Sequence, residues 1–159
     1  MQSVIASAVA GYDRLCNMAN RAGELIGLLG IRLLLSWEFG EAGMKKRKGS
    51  NWFEHVQDDF PFPFSLIPVE VNWFFATWIE LLGAAALAIG LATRFFGASL
   101  FILTIVAWAS VHAGSGYNVC DNGFKLPLMY LIMFVPLILS GPGKLSMDYL
   151  LSGRRTRPT

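Results

Sequence analysis

Charged side chains are scarce in this sequence: 15% of its 159 residues, against 54% hydrophobic. Soluble domains carry about a quarter charged residues, so the shortage excludes an ordinary water-facing surface and points to a membrane protein. The net charge of +2 is too small to hold nucleic acid, and the basic residues cluster at helix ends rather than along one face. Cysteine is nearly absent. Cys16 and Cys120 stand far apart with no CxxC pair, which excludes a disulfide framework and a dithiol redox motif. Glycine fingerprints that cradle nucleotide phosphates are missing. His55, Asp58, His112 and Cys120 would share one side of the membrane, but without metal-ligand spacing. No tightly bound cofactor and no metal are therefore expected. Residues 1–10 hold no Lys or Arg ahead of their apolar stretch, against a cleaved signal peptide. No segment alternates as a barrel strand must.

What is present is four apolar runs, 22–43, 71–92, 95–113 and 124–140. Spanning a bilayer takes about 17 to 25 helical residues, and a backbone in lipid must satisfy its own hydrogen bonds. The expected fold is an all-α membrane protein, a bundle of four transmembrane helices over residues 22–151. Ahead of it, residues 1–20 are expected to form an amphipathic interfacial helix, with Val4, Ile5, Ala8, Tyr12, Leu15 and Ala19 on one stripe. Behind it, residues 152–159 form a basic tail. Pro127 falls in the first turn of the fourth helix, and Pro136 lies deeper, where it bends the helix.

With both termini cytoplasmic, that side holds Arg14, Arg21, Arg94, Lys144, Arg154, Arg155 and Arg157. The outer side holds Lys45, Lys46, Arg47, Lys48 and Lys125, so the balance favours this orientation. Cys16 and Cys120 then lie on opposite sides, and Cys120 is either inert or a thiol that exchanges with a partner. The outer loop 44–68 passes from its basic start through Glu54, His55, Asp58 and Asp59 to an FPFPF run at 60–64. It reads as folded back onto the membrane surface.

Ionisable groups within the spans carry the functional signal, because each costs at least about 2.5 kcal/mol at mid-membrane unless it faces a partner. Counting about 1.5 Å per residue from the inner helix ends puts Arg32, Glu80 and Tyr130 in one layer. Glu38 and His112 fall in a second layer nearer the outside, with Thr77 and Trp108 at similar depth. Arg32 and Glu80 are then either an ion pair that fixes helix register or an anchor for a buried polar ligand. Glu41 and Lys45 are one turn apart and snorkel to the surface. Glu38 lies deeper, beside a second carboxylate, which suits a proton donor or acceptor. His112 could hydrogen-bond a quinone carbonyl, bind a metal or cap its helix.

Residues 141–151 read GPGKLSMDYLL directly after an apolar helix, 32–46 read RLLLSWEFGEAGMKK, and 80–94 read ELLGAAALAIGLATR. These three segments resemble the closing motif and the first and second helices of the DoxX family of bacterial membrane proteins. The likeness extends over about residues 22–151. Trp37, Glu38 and Phe39, with Trp52 and Phe53, look like the subgroup encoded beside modified copper-binding peptides. The resemblance implies a four-helix protein of the bacterial inner membrane, often linked with thiol or sulfur redox chemistry and quinones. Relatives of that kind include the small subunit of thiosulfate:quinone oxidoreductase and, more distantly, a protein of methylamine utilisation.

The function expected on this basis is the membrane component of a thiol- or sulfur-to-quinone oxidoreductase. Glu38, Glu80 and His112 would be its catalytic residues. Arg32 and Tyr130 would bind the ligand, and Trp37, Trp73 and Trp108 would supply flat walls. Its partners would be the lipid bilayer, quinone, and a periplasmic redox protein or metal-binding peptide. The competing class is a non-enzymatic scaffold or export helper for a copper-binding peptide or other metal-related partner. Proton-coupled transport would require a homo-oligomer.

Overall fold

The computed structural model describes residues 2–155; residues 1 and 156–159, and the side chains of 2–8, 24 and 153–155, lie outside that description. Val4, Ile5 and Ala8 of the expected stripe, and most of the expected basic tail, are among the side chains left outside. The described chain contains six α-helices and no strand: α1 Gln2–Ala22, α2 Leu28–Lys48, α3 Val69–Ile89, α4 Thr93–Ala107, α5 Lys125–Leu139 and α6 Met147–Arg155. A π turn at Gly23–Gly27 joins α1 to α2 with helical backbone on both sides. The run from Gln2 to Lys48 is thus one helical rod about 70 Å long at 1.5 Å per residue. Tyr12, Leu15 and Met18 of α1 are exposed.

Helix α3 and the run Thr93–Ser115, which continues α4 through the π turn Trp108–His112, are long and apolar enough to cross a membrane. Helix α5 is apolar but shorter. Helix α2 is as long as α3 but carries Arg32, Glu38, Glu41 and the basic residues 45–48 inside its own length, so it is more charged than α3 or α4. Helices α2 to α5 pack in chain order, and α5 closes back on α2. Their shared core is Leu35, Phe39, Ala84, Leu87, Leu100, Phe134 and Leu137. Phe74, Phe75, Trp78 and Leu82 of α3 face outward instead, as apolar residues do on a helix surrounded by lipid.

Register between α2 and α3 is set by close approach. Gly43 lies where any side chain would strike Leu81 and the Cβ of Glu80, and Gly40 faces Ala84. One turn further in, the Ser36 hydroxyl donates to the Ala84 carbonyl at 2.7 Å. Small residues let two backbones come together where lipid offers no hydrophobic drive. The same register carries Arg32 to Gly90, at the inner turn after α3. Glu80 is ten residues up α3 from that turn, about 15 Å away along the axis. The single layer of Arg32, Glu80 and Tyr130 expected from residue counting is therefore corrected. The count began at residue 22, whereas the helix that packs on α3 begins at Leu28.

Arg32 is buried, 1% exposed, and donates to the carbonyls of Pro142 (3.0 Å) and Leu145 (2.7 Å). Arg94 reaches the Leu139 carbonyl at the end of α5. Cations there meet the unpaired carbonyls and negative pole of a helix C-terminus. Asp148, which opens α6, accepts from the backbone N–H of Ala92 (2.8 Å) and Thr93 (2.9 Å). It caps the first turn of α4 with a carboxylate where the dipole favours one. The GPGKLSMD segment is thus a clasp that ties the α3–α4 turn and the end of α5 to Arg32.

Gly90 adopts φ +70°, and a Cβ there would fall on the Arg32 guanidinium and Ser146. Gly90→Ala is expected to combine left-handed strain with loss of the Arg32 bonds, destabilising the fold by about 2–4 kcal/mol. The measurement is thermal unfolding in detergent; a melting temperature equal to the parent's would contradict this role of the clasp.

Candidate functional site

Two cavities lie in the half of the bundle away from the clasp, and the Glu80 carboxylate borders both. Glu80 is 4% exposed. A carboxylate so placed needs a counter-charge, because desolvating a lone ion costs several kcal/mol. The partner is Lys46, whose Nζ donates to Oε1 at 2.7 Å and Oε2 at 2.8 Å. The ion pair of Glu80 with Arg32, one of the two readings of the sequence, does not form. Lys46 stands three residues beyond Gly43, on the stretch of α2 that touches Glu80, whereas Arg32 is spent on the clasp.

The polar cavity, about 330 Å³, is lined by Glu38, Glu41, Lys45, Glu80, His112 and Tyr130 among others. The Tyr130 hydroxyl donates to Glu38 Oε2 at 2.7 Å, and Phe39 packs against the Tyr130 ring at 5.7 Å. Glu41 pairs with Lys45 at 2.6 Å on the exposed rim, as the one-turn spacing implied. His112 closes the π turn that extends α4, and its Nδ1 lies 2.6 Å from the Asn122 carbonyl. A carbonyl only accepts, so Nδ1 carries a proton and donates it. Val119 and Asn122, in the loop that leads into α5, form the mouth, and both are exposed. Carboxylates, a phenol and an imidazole around one water-accessible space can hold and pass protons.

The second cavity, about 260 Å³, is apolar, and the sequence reading did not anticipate it. Its roof is the loop after α2, wound into short turns at Phe53–His55, Gln57–Asp59 and Phe64–Leu66. Phe53, Phe60 and Phe64 project into the cavity, and Phe75, Ile79 and Ile102 form its sides. The loop folds back as expected, yet Phe60 is buried beneath it while Phe62 remains exposed. Asn72 pins the loop by donating to the Phe64 and Ile67 carbonyls, and Gln57 also donates to Ile67. Alternate burial along the FPFPF run was the one signal that could have revealed a roof, since a surface strap needs no inward Phe.

Of the eight residues expected at a site, four meet at the polar cavity: Glu38, Glu80, His112 and Tyr130. Arg32 is not brought to it. Trp37 is 73% exposed on the outside of α2. Trp73 packs edge-on against Trp52 and Phe53, and Trp108 stacks on Phe124 at 5.2 Å. Neither ring lines a cavity. Lys46 joins the site instead; a position read only as a topology charge carries the counter-ion of Glu80. Among the described residues no group of three His, Cys, Asp or Glu could hold a metal ion.

Comparison with known proteins adds a family. The DoxX family model matches residues 27–113, which takes in α2, α3 and α4 and stops short of the C-terminal clasp. An uncharacterized protein of Haemophilus influenzae is 51% identical over 137 residues, 86% of this chain and 89% of that relative. No solved structure matches. The match over more than half the chain establishes that this protein belongs to the DoxX family of membrane-associated proteins.

Proposed function

We propose that this protein is the membrane component of a thiol- or sulfur-to-quinone oxidoreductase system, in which the polar cavity exchanges the protons of the reaction. The observation that supports it is the convergence of Glu38, Tyr130, His112 and Glu80, from four different helical segments, on one space open at the outer rim. Oxidising two thiols to a disulfide releases two electrons and two protons, and reducing a quinone to the quinol consumes the same number. The residues of this chain would handle the protons: Glu38 Oε2 and the Tyr130 hydroxyl as one hydrogen-bonded pair, and His112 Nε2 as a second station. Partner thiols would approach from the outer face, where Cys120 is exposed.

The arrangement in the membrane follows the four-span reading, with α2, α3, α4 and α5 crossing the bacterial inner membrane and both termini cytoplasmic. In it α1 carries the same rod on past the cytoplasmic end of the bundle. A membrane-impermeant maleimide is expected to label Cys120 in intact spheroplasts and to label Cys16 only after the membrane is opened. Labelling of Cys16 from outside would overturn the orientation.

A non-enzymatic scaffold or export helper is the second reading. It is favoured by one observation: Arg32 and Glu80 both have partners that hold helices together. Two experiments separate the readings. Glu38→Gln and Tyr130→Phe are each expected to lower dithiol-driven reduction of a short-tailed quinone in proteoliposomes by about a hundredfold or more, the lower end of what a positioned proton donor or acceptor contributes. Unchanged rates above the protein-free background would remove the redox reading.

Lys46→Met alone leaves a buried carboxylate unpaired and is expected to cost about 3–5 kcal/mol, whereas Lys46→Met with Glu80→Leu should regain most of that loss. If the doubly substituted protein is stable and fully active, the pair is only structural; loss of quinone reduction at restored stability supports a role for Glu80 in the chemistry.

A further inference from the structure

We propose that the apolar cavity under the aromatic loop is a second ligand site, reached from the bilayer, that seats a flat ring ketone with its oxygen on Lys46. Naming that ring as the lipophilic reactant rests on the redox reading above; the seat itself does not. The two cavities meet different surroundings. The polar one ends at exposed Glu41, Lys45 and Val119. The apolar one is flanked by Phe75 and Ile102, which are 56% and 50% exposed on the outward faces of α3 and α4. A ligand that is soluble in lipid therefore arrives between α3 and α4, and water and protons arrive through the other cavity. Glu80, Leu103 and Ala107 border both spaces and form the partition between them.

The chemistry of the seat follows from which polar atoms are already used. Ser99 and Ser110 donate to the carbonyls of Phe95 and Val106 in their own helix. The Asn72 amide nitrogen is spent on the loop. Lys46 has three N–H groups, and Glu80 takes two bonds. Lys46 therefore keeps one donor deep in a space walled mainly by phenylalanine rings, while the Trp52 indole N–H belongs to a lining residue that is itself exposed. An acyl chain would leave the Lys46 donor unmet. A ligand with many polar groups would strand its own among the phenylalanines. The complement is a planar ring with one acceptor at its edge and apolar surface elsewhere, stacked or edge-on against Phe53, Phe60 and Phe64. Because Asn72 and Gln57 pin the loop, the seat is formed before the ligand arrives.

Equilibrium dialysis of the full-length protein in detergent tests this with two probes. One is 2-methyl-1,4-naphthoquinone; the other is 1-tetralone, which keeps a bicyclic frame and one carbonyl but is not reduced by thiols. Both are expected to bind, and Ser99→Trp, which fills the apolar cavity, is expected to weaken both by tenfold or more. Val119→Trp, at the mouth of the polar cavity, is expected to leave both affinities within about twofold. Ile102→Phe narrows the same apolar space with a smaller change, and serves if Ser99→Trp does not fold. The proposal is overturned if neither probe binds, if both fillings of the apolar cavity leave binding unchanged, or if Val119→Trp abolishes it instead. Binding of both probes, blocked by Ser99→Trp but without any dithiol-driven quinone reduction, upholds the seat and counts against the redox reading.

Discussion

The Lys46–Glu80 pair is the constraint from which the outer half of this protein follows. A carboxylate buried in the interior of an apolar helix cannot remain there alone, and among the described residues the cation that pairs with it is Lys46, from the last turn of α2. Joining the two fixes how far α2 slides along α3. Gly43 then has to lie against Glu80 and Leu81, Gly40 against Ala84, and Arg32 against Gly90. Because Lys46 leans inward, its neighbours Lys45 and Arg47 stay exposed, and the chain must turn immediately and cover the outer end with its aromatic loop. Both cavities exist because that loop and the pair leave space on either side of Glu80.

Arginine and lysine perform different work at the two ends of α2, and their chemistry accounts for it. Arg32 presents a rigid planar fork that can serve two carbonyls at once, and it meets the turn residues Pro142 and Leu145. Lys46 presents a compact charge on a flexible stem, which suits bonding to both oxygens of one carboxylate with a proton to spare. The inner end is thus a closed hydrogen-bonded clasp, and the outer end keeps room. Functional groups accumulate where the packing is incomplete.

The helices themselves were legible from composition and length, because lipid demands long apolar segments whose backbones bond internally. The partners were only half legible. Glu38 and Tyr130, expected in different layers, meet in one cavity, whereas Glu41 with Lys45 formed the pair that one-turn spacing dictates. Arg32 and Glu80 were placed in one layer because similar residue counts were read as similar depths. That inference fails when a helix extends beyond its packed part, as α2 does through the π turn into α1. Trp37 shows the same difficulty in rotation: an aromatic residue beside a carboxylate in sequence points 100° away from it on a helix, and here it points outward.

The sequence by itself determined that this is a membrane protein of the DoxX kind, that few charges enter its helices, and that each must find a counterpart. Hydrophobic content and helix length are local quantities, so they can be read residue by residue. Which charge meets which, and where the unfilled space lies, was decided only by tertiary structure. Those outcomes depend on the sliding and rotation of one helix against another, and these are set by contacts between residues such as Gly43 and Glu80 that are far apart along the chain.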